Sequence, residues 1–130
     1  MKKYQGKNSS YQFEVDKIKK VFHAEASGFF SEEDGEAFLK DYLEITKTFS
    51  VKEYALIIDA PELKPSSPEV AKMLGELLRK YMEVPFNKRF LVTKGNLSTT
   101  SQFKRLGKEV PDWTESVKYV DDYNEALNNL

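Results

Sequence analysis

The sequence predicts an α/β fold built on a mixed, mostly parallel sheet of about five strands. Three observations carry this. Tyr54-Ala55-Leu56-Ile57-Ile58 and Phe90-Leu91-Val92 are short, unbroken apolar runs, as central strands covered on both faces require. Between them, Val70, Met73, Leu74, Leu77, Leu78, Tyr81 and Met82 keep helical spacing almost without error. Ahead of both, two stretches alternate apolar and polar residues, which predicts an antiparallel hairpin at the edge of the sheet.

The elements follow in order. Met1 to Ser10 is polar, has no apolar run, and reads as a flexible leader before a domain over residues 11–130. Tyr11, Phe13 and Val15 alternate with Gln12, Glu14 and Asp16 in a first strand. A turn at Asp16 to Lys19 leads to a second strand, Lys20 to Ser27, with Phe22, Ala24 and Ala26 inward; Gly28 is expected to break it. Ser31 caps a helix whose first turn is acidic and whose stripe is Phe38, Tyr42, Ile45 and Phe49. The apolar strand at 54–58 ends at Asp59, and Ala60 to Ser67 reads as a proline-rich loop. Ser67-Pro68-Glu69 then opens the strongest helix, which Pro85 stops. After the strand at Arg89 to Thr93, Gly95-Asn96 turns the chain, and Ser98 or Thr99 caps a helix that Pro111 ends. Val117 to Val120 is a last strand, and Asp121 or Asp122 caps a terminal helix with Ala126, Leu127 and Leu130 inward. The order is ββαβαβαβα, with right-handed crossovers and helices chiefly on one face.

Composition narrows function mainly by exclusion. With 130 residues, 40% hydrophobic and 13% aromatic, the chain is too apolar to be disordered. Twenty basic residues against 21 acidic give a net charge of -1, which argues against a general nucleic-acid or membrane-surface binder. No cysteine is present, so disulfides, thiolate metal sites and cysteine nucleophiles are excluded. His23 is the single histidine and is expected at the surface or rim, beside Glu25. No signal peptide, no integral membrane segment and a cytoplasmic location are expected.

Two groups of residues carry candidate chemistry. Ser66 and Ser67 stand at a helix N-terminus, where free N–H groups would favour a phosphate. The simpler role is that Ser67 caps the helix ahead of Pro68. The second group lies at the carboxyl ends of the predicted central strands, where ligands bind in open α/β sheets. Asp59, Glu62, Lys94, Asn96, Ser98, Thr99 and Thr100 form this candidate ligand crevice. Its simpler role is a turn plus a capped helix, with Thr99 and Gln102 at capping-box spacing. The simpler role of Asp59 is to end its strand and accept loop N–H bonds. The short pairs Lys88-Arg89 and Lys104-Arg105 are expected to be solvated.

The element order resembles the STAS-like proteins, the bacterial anti-sigma-factor antagonists and their relatives of the SpoIIAA-like fold. Ser27-Gly28-Phe29-Phe30-Ser31-Glu32-Glu33-Asp34 resembles that group's strand-to-helix transition. Leu56-Ile57-Ile58-Asp59, with Ser66-Ser67 opening the next helix, resembles its central strand and switch region. Phosphorylatable members read Asp-Ser-Ser/Thr-Gly there, whereas this chain reads Pro65-Ser66-Ser67-Pro68. Both flanking positions are prolines, so Ser66 and Ser67 are expected to be structural and unmodified.

No cofactor and no bound metal are expected, and the high aromatic content with the edge left open by a half-polar hairpin predicts weak association as a homodimer. The resemblance implies a non-enzymatic regulatory or protein-interaction domain with a protein partner. Its working surface is expected at Ala60 to Ser67 and the face of the second helix. The competing reading is a small-ligand or enzymatic module using the sheet-end crevice.

Overall fold

The computed structural model describes residues 2–60, 62–65 and 67–130. The strands are β1 (Lys2–Gln5), β2 (Ser9–Asp16), β3 (Val21–Phe30), β4 (Ala55–Asp59), β5 (Leu63–Pro65), β6 (Lys88–Val92) and β7 (Val117–Val120). The helices are α1 (Glu32–Thr46), α2 (Pro68–Glu83), α3 (Leu97–Gly107), α4 (Trp113–Ser116) and α5 (Tyr123–Asn128), and a short 3₁₀ turn covers Val51–Glu53. All seven strands join one sheet, ordered β1-β2-β3-β4-β6-β7, with β5 paired to the far end of β3. The β1–β2 and β2–β3 pairs are antiparallel, and the other four pairs are parallel.

The expected hairpin, central strands and helices are present, with two strands more than the sequence suggested. Lys2–Gln5 is not a loose leader: it is the edge strand, paired to β2 from Lys2 opposite Phe13 to Gln5 opposite Ser10. Tyr4 stacks on Tyr11 with ring centroids 4.6 Å apart, so one aromatic residue holds an otherwise polar strand. The expected loop at 60–67 contains β5, which pairs with Gly28, Phe29 and Phe30. Gly28 therefore does not end β3. The strand exchanges β4 for β5 as its neighbour there, and the φ of +90° at Gly28 turns the backbone between the two. A Cβ at this position would collide with the backbone of Asn8, so the crossing requires glycine.

Helices α1, α2 and α3 pack on the first sheet face. Their core joins Phe13, Phe22, Leu56, Ile58 and Leu91 of the sheet to Phe38, Tyr42, Leu74, Leu77, Leu78 and Phe103 of the helices. Met73 and Met82 of the predicted stripe are only half-buried at its margins. Gly35 of α1 lies against Met73, where the two helices approach closely. On the second face, α5 alone covers Val21, Ala55, Ile57, Phe90, Val92 and Val120 through Ala126. Leu130, expected inward, is 46% exposed because α5 ends at Asn128.

Local grammar explains the ends. Ser31 and Asp34 form a reciprocal capping box on α1. The Ser67 hydroxyl accepts from the Val70 N–H at 3.2 Å, with Pro68 as first helical residue of α2. Ser67→Ala is expected to cost about 1 kcal/mol in urea denaturation; no measurable change would remove the cap from this account. The cap of α3 is Asn96, not Ser98 or Thr99: its Oδ1 accepts from the Thr99 N–H at 3.1 Å. Lys94 and Gly95, both at positive φ, bring Asn96 to that place, which leaves Thr99 in the first turn and breaks the expected Thr99–Gln102 box. Helix α3 ends at Gly107, ahead of Pro111, and glycine is required at that position because the Trp113 ring occupies the space a Cβ would need.

Arg89 corrects another expectation. It is not solvated with Lys88: its Nη2 donates to the Val84 carbonyl at 2.8 Å and its Nε to the Tyr81 carbonyl at 3.3 Å. A cation at the carboxyl end of α2 satisfies carbonyls the helix leaves open. No helix among the described residues is long and apolar enough to cross a membrane.

Candidate functional site

Alternation decides what the second face carries. Odd residues of β1 and β3 share it with even residues of β2. Over β4, β6 and the start of β3, that face is apolar and α5 covers it. Towards β2 and β1 it becomes polar, with Lys3, Gln5, Ser10, Gln12, Glu25 and Ser27. No helix covers this half among the described residues. A cleft of about 550 Å³ opens over it, walled by Lys3, Gln12, Glu25 and Ser27 and closed at the sheet end by Asp59, Glu62 and Lys94.

The sequence-predicted crevice is therefore divided. Asp59 at the end of β4, Glu62 ahead of β5 and Lys94 after β6 come together on the cleft. Asn96, Ser98, Thr99 and Thr100 do not line it. Asn96 caps α3, Thr99 is buried, Ser98 is exposed, and the Thr100 hydroxyl donates to the Asn96 carbonyl at 2.9 Å. Ser67 is the α2 cap and lies outside the cleft lining, and Ser66 lies outside the described residues.

Lys3, Gln5, Ser10 and Gln12 carry no signal as site residues in the sequence, because β1 has no apolar period to mark it as a strand and polar residues on one strand point to no ligand. The wall that β1 supplies is fixed from the other face. Asp34 is buried at the start of α1. Its carboxylate accepts from the Tyr4 hydroxyl at 2.9 Å, the Ser9 hydroxyl at 2.7 Å and the Ser31 N–H at 2.9 Å. Burial alone would raise its pKa, but the bonds from Ser31, Ser9 and Tyr4 together hold it below the usual carboxylate value. Burial and the bond to Asp41 push the Tyr11 phenol far above its ordinary range.

His23, Glu25 and Asp59 stand together where the cleft meets α5. The β3–β4 register sets Glu25 beside Asp59, and His23 lies two residues back along β3. His23 Nε2 is 3.5 Å from Glu25 Oε1 and 3.4 Å from Asp59 Oδ2. The Tyr123 ring of α5 packs on the imidazole, with centroids 4.3 Å apart. Burial, then the carboxylates of Asp16, Glu14 and Glu25, raises the Tyr123 phenol, which marks these surroundings as acidic. On the other side, Gln12 Nε2 donates to Glu25 Oε2 at 2.6 Å.

This architecture is the SpoIIAA-like fold. A solved protein similar to this chain is an uncharacterized protein from the DUF3478 family with a SpoIIAA-like fold, from Shewanella loihica PV-4. It superposes with a TM-score of 0.67 at 20% identity, over 95% of this chain and 94% of that one. No protein-family model matches the sequence, and no curated protein matches it.

Proposed function

We propose that this chain is a cytoplasmic, non-enzymatic regulatory domain that binds a protein partner through the polar half of its second sheet face. The observation behind the reading is the 550 Å³ cleft left open beside α5. It presents both signs of charge, Lys3 and Lys94 against Glu25, Asp59 and Glu62, on a rigid sheet. A partner segment with complementary charges gains orientation and specificity from such a surface. The exposed face of α2, with Glu69, Lys72, Glu76 and Arg79, offers no concavity of this kind. The reading therefore moves the working surface away from α2 and onto the sheet. Edge strand β1 leaves a row of backbone groups free for a second copy, and weak self-association belongs to the same proposal.

The test is recovery of a partner from the native host. A partner retained by the parent is expected to be lost with Lys94→Glu combined with Lys3→Glu, and kept with Glu76→Lys combined with Arg79→Glu. The reverse pattern would return the surface to α2.

A second reading is favoured by one observation. Asp59, Glu62 and Lys94 converge at the carboxyl ends of β4 and β6, where small polar ligands bind in open α/β sheets. A small molecule that raises the melting temperature of the parent, and not of Lys94→Glu, would select this reading over a protein partner.

A further inference from the structure

We infer that His23, Glu25 and Asp59 form a site for a divalent first-row transition-metal ion, of the zinc class, at the wall of the cleft. The inference goes beyond the partner reading and stands whether or not a protein docks there.

The geometry argues for it first. One donor atom from each of the three side chains lies within 4.8 Å of the others. The two imidazole–carboxylate separations, 3.5 and 3.4 Å, are long for hydrogen bonds between these groups. They fit two ligands of one ion: donors about 2.0–2.1 Å from zinc at a tetrahedral angle stand roughly 3.4 Å apart. The ligands come from adjacent positions on two paired strands, which is a stiff platform.

Charge and orientation argue the same way. Among the described residues, no lysine or arginine lies within ion-pair distance of Glu25 or Asp59. With neutral imidazole, the three groups carry two negative charges, which a divalent cation balances. Glu14 faces His23 across the β2–β3 pair and adds to the negative field, while Lys94 and Lys3 line the cleft farther out. Outer contacts already aim the ligands. Gln12 holds Glu25 Oε2 and leaves Oε1 towards His23, and Tyr123 fixes the ring plane. An imidazole with two carboxylates suits zinc, manganese or cobalt better than magnesium or calcium, which take oxygen donors. Glu25 and Asp59 also line the cleft, so remaining coordination positions face it.

Because His23 is the single histidine, the pair of nitrogen signals from its ring is unambiguous, and the Nε2 signal is the one to follow. The experiment titrates zinc chloride into tag-free, 15N-labelled full chain and follows that signal. A saturating shift of the imidazole at one equivalent, reversed by chelator, is expected. Glu25→Gln and Asp59→Asn should each weaken the affinity by about tenfold or more, and Gln12→Ala by about tenfold, as outer ligand partners do. Amide spectra of each variant establish that it is folded. A ring signal untouched by excess zinc would overturn the site, and the parent titration alone decides this. Equal affinity in folded Asp59→Asn would overturn it too. A parent that binds zinc but keeps its protein partner when the cleft is charge-reversed would sustain this inference and sink the partner reading.

Discussion

Trp113→Ala is expected to destabilise the protein by about 3–5 kcal/mol, the usual cost of emptying a large aromatic from a core. The indole is 1% exposed, and its Nε1 donates to the Tyr119 hydroxyl at 3.0 Å. It joins three elements: its ring packs against Gly107 at the end of α3, it begins α4, and its bond reaches β7. Urea denaturation measures the effect. A loss below about 1 kcal/mol would mean that the indole is not part of the core.

The second large effect is expected at Asp34. Removing its carboxylate in Asp34→Ala strands three donors, the Tyr4 and Ser9 hydroxyls and the Ser31 N–H. Hydrogen bonds to a buried charge are stronger than neutral ones, and the expected cost is about 3 kcal/mol. Asp34→Asn keeps the shape and part of the accepting capacity, so it should cost less. The pH dependence has a definite sign. The folded pKa lies below the ordinary 3.8, so the contribution is whole above that value and is lost as pH falls through the folded value. The stability gap between parent and Asp34→Asn should therefore narrow in strong acid. A gap that stays constant from neutral pH to below the folded value would contradict the network. Functionally, the variant loosens β1, and with it the cleft wall that carries Lys3 and Gln5.

The parts of the fold legible in the sequence were those with enough repeated apolar positions to show a period. Helix α2 buries Val70, Leu74, Leu77, Leu78 and Tyr81 on one stripe, and β4 is apolar up to its last residue, Asp59. Strand β1 had only Tyr4 as an apolar residue, and edge strands carry lysines on their free side. Strand β5 is three residues, the last of them Pro65, too short for any period. Helix α4 is one turn, so Trp113 announced nothing about where it would pack. A glycine after an alternating run suggests a strand end, yet the positive φ of Gly28 serves a change of neighbour.

The candidate site was legible in part. Asp59 and Lys94 could be expected together because both follow parallel strands at one sheet end. Glu25 beside Asp59 depends on the β3–β4 register, which sequence alternation does not set. A rim position for His23 beside Glu25 follows from strand alternation, but its partner on β4 is set only by that register.

The central claim is that the polar half of the second sheet face is the recognition surface. Site-specific photo-crosslinking in the native host tests it most directly. A photoreactive residue at Ser27 or Gln12, both on the cleft, is compared with one at Glu76 on the outer face of α2. The account predicts a defined protein adduct from the cleft positions and none from Glu76. An adduct from Glu76 alone would contradict it.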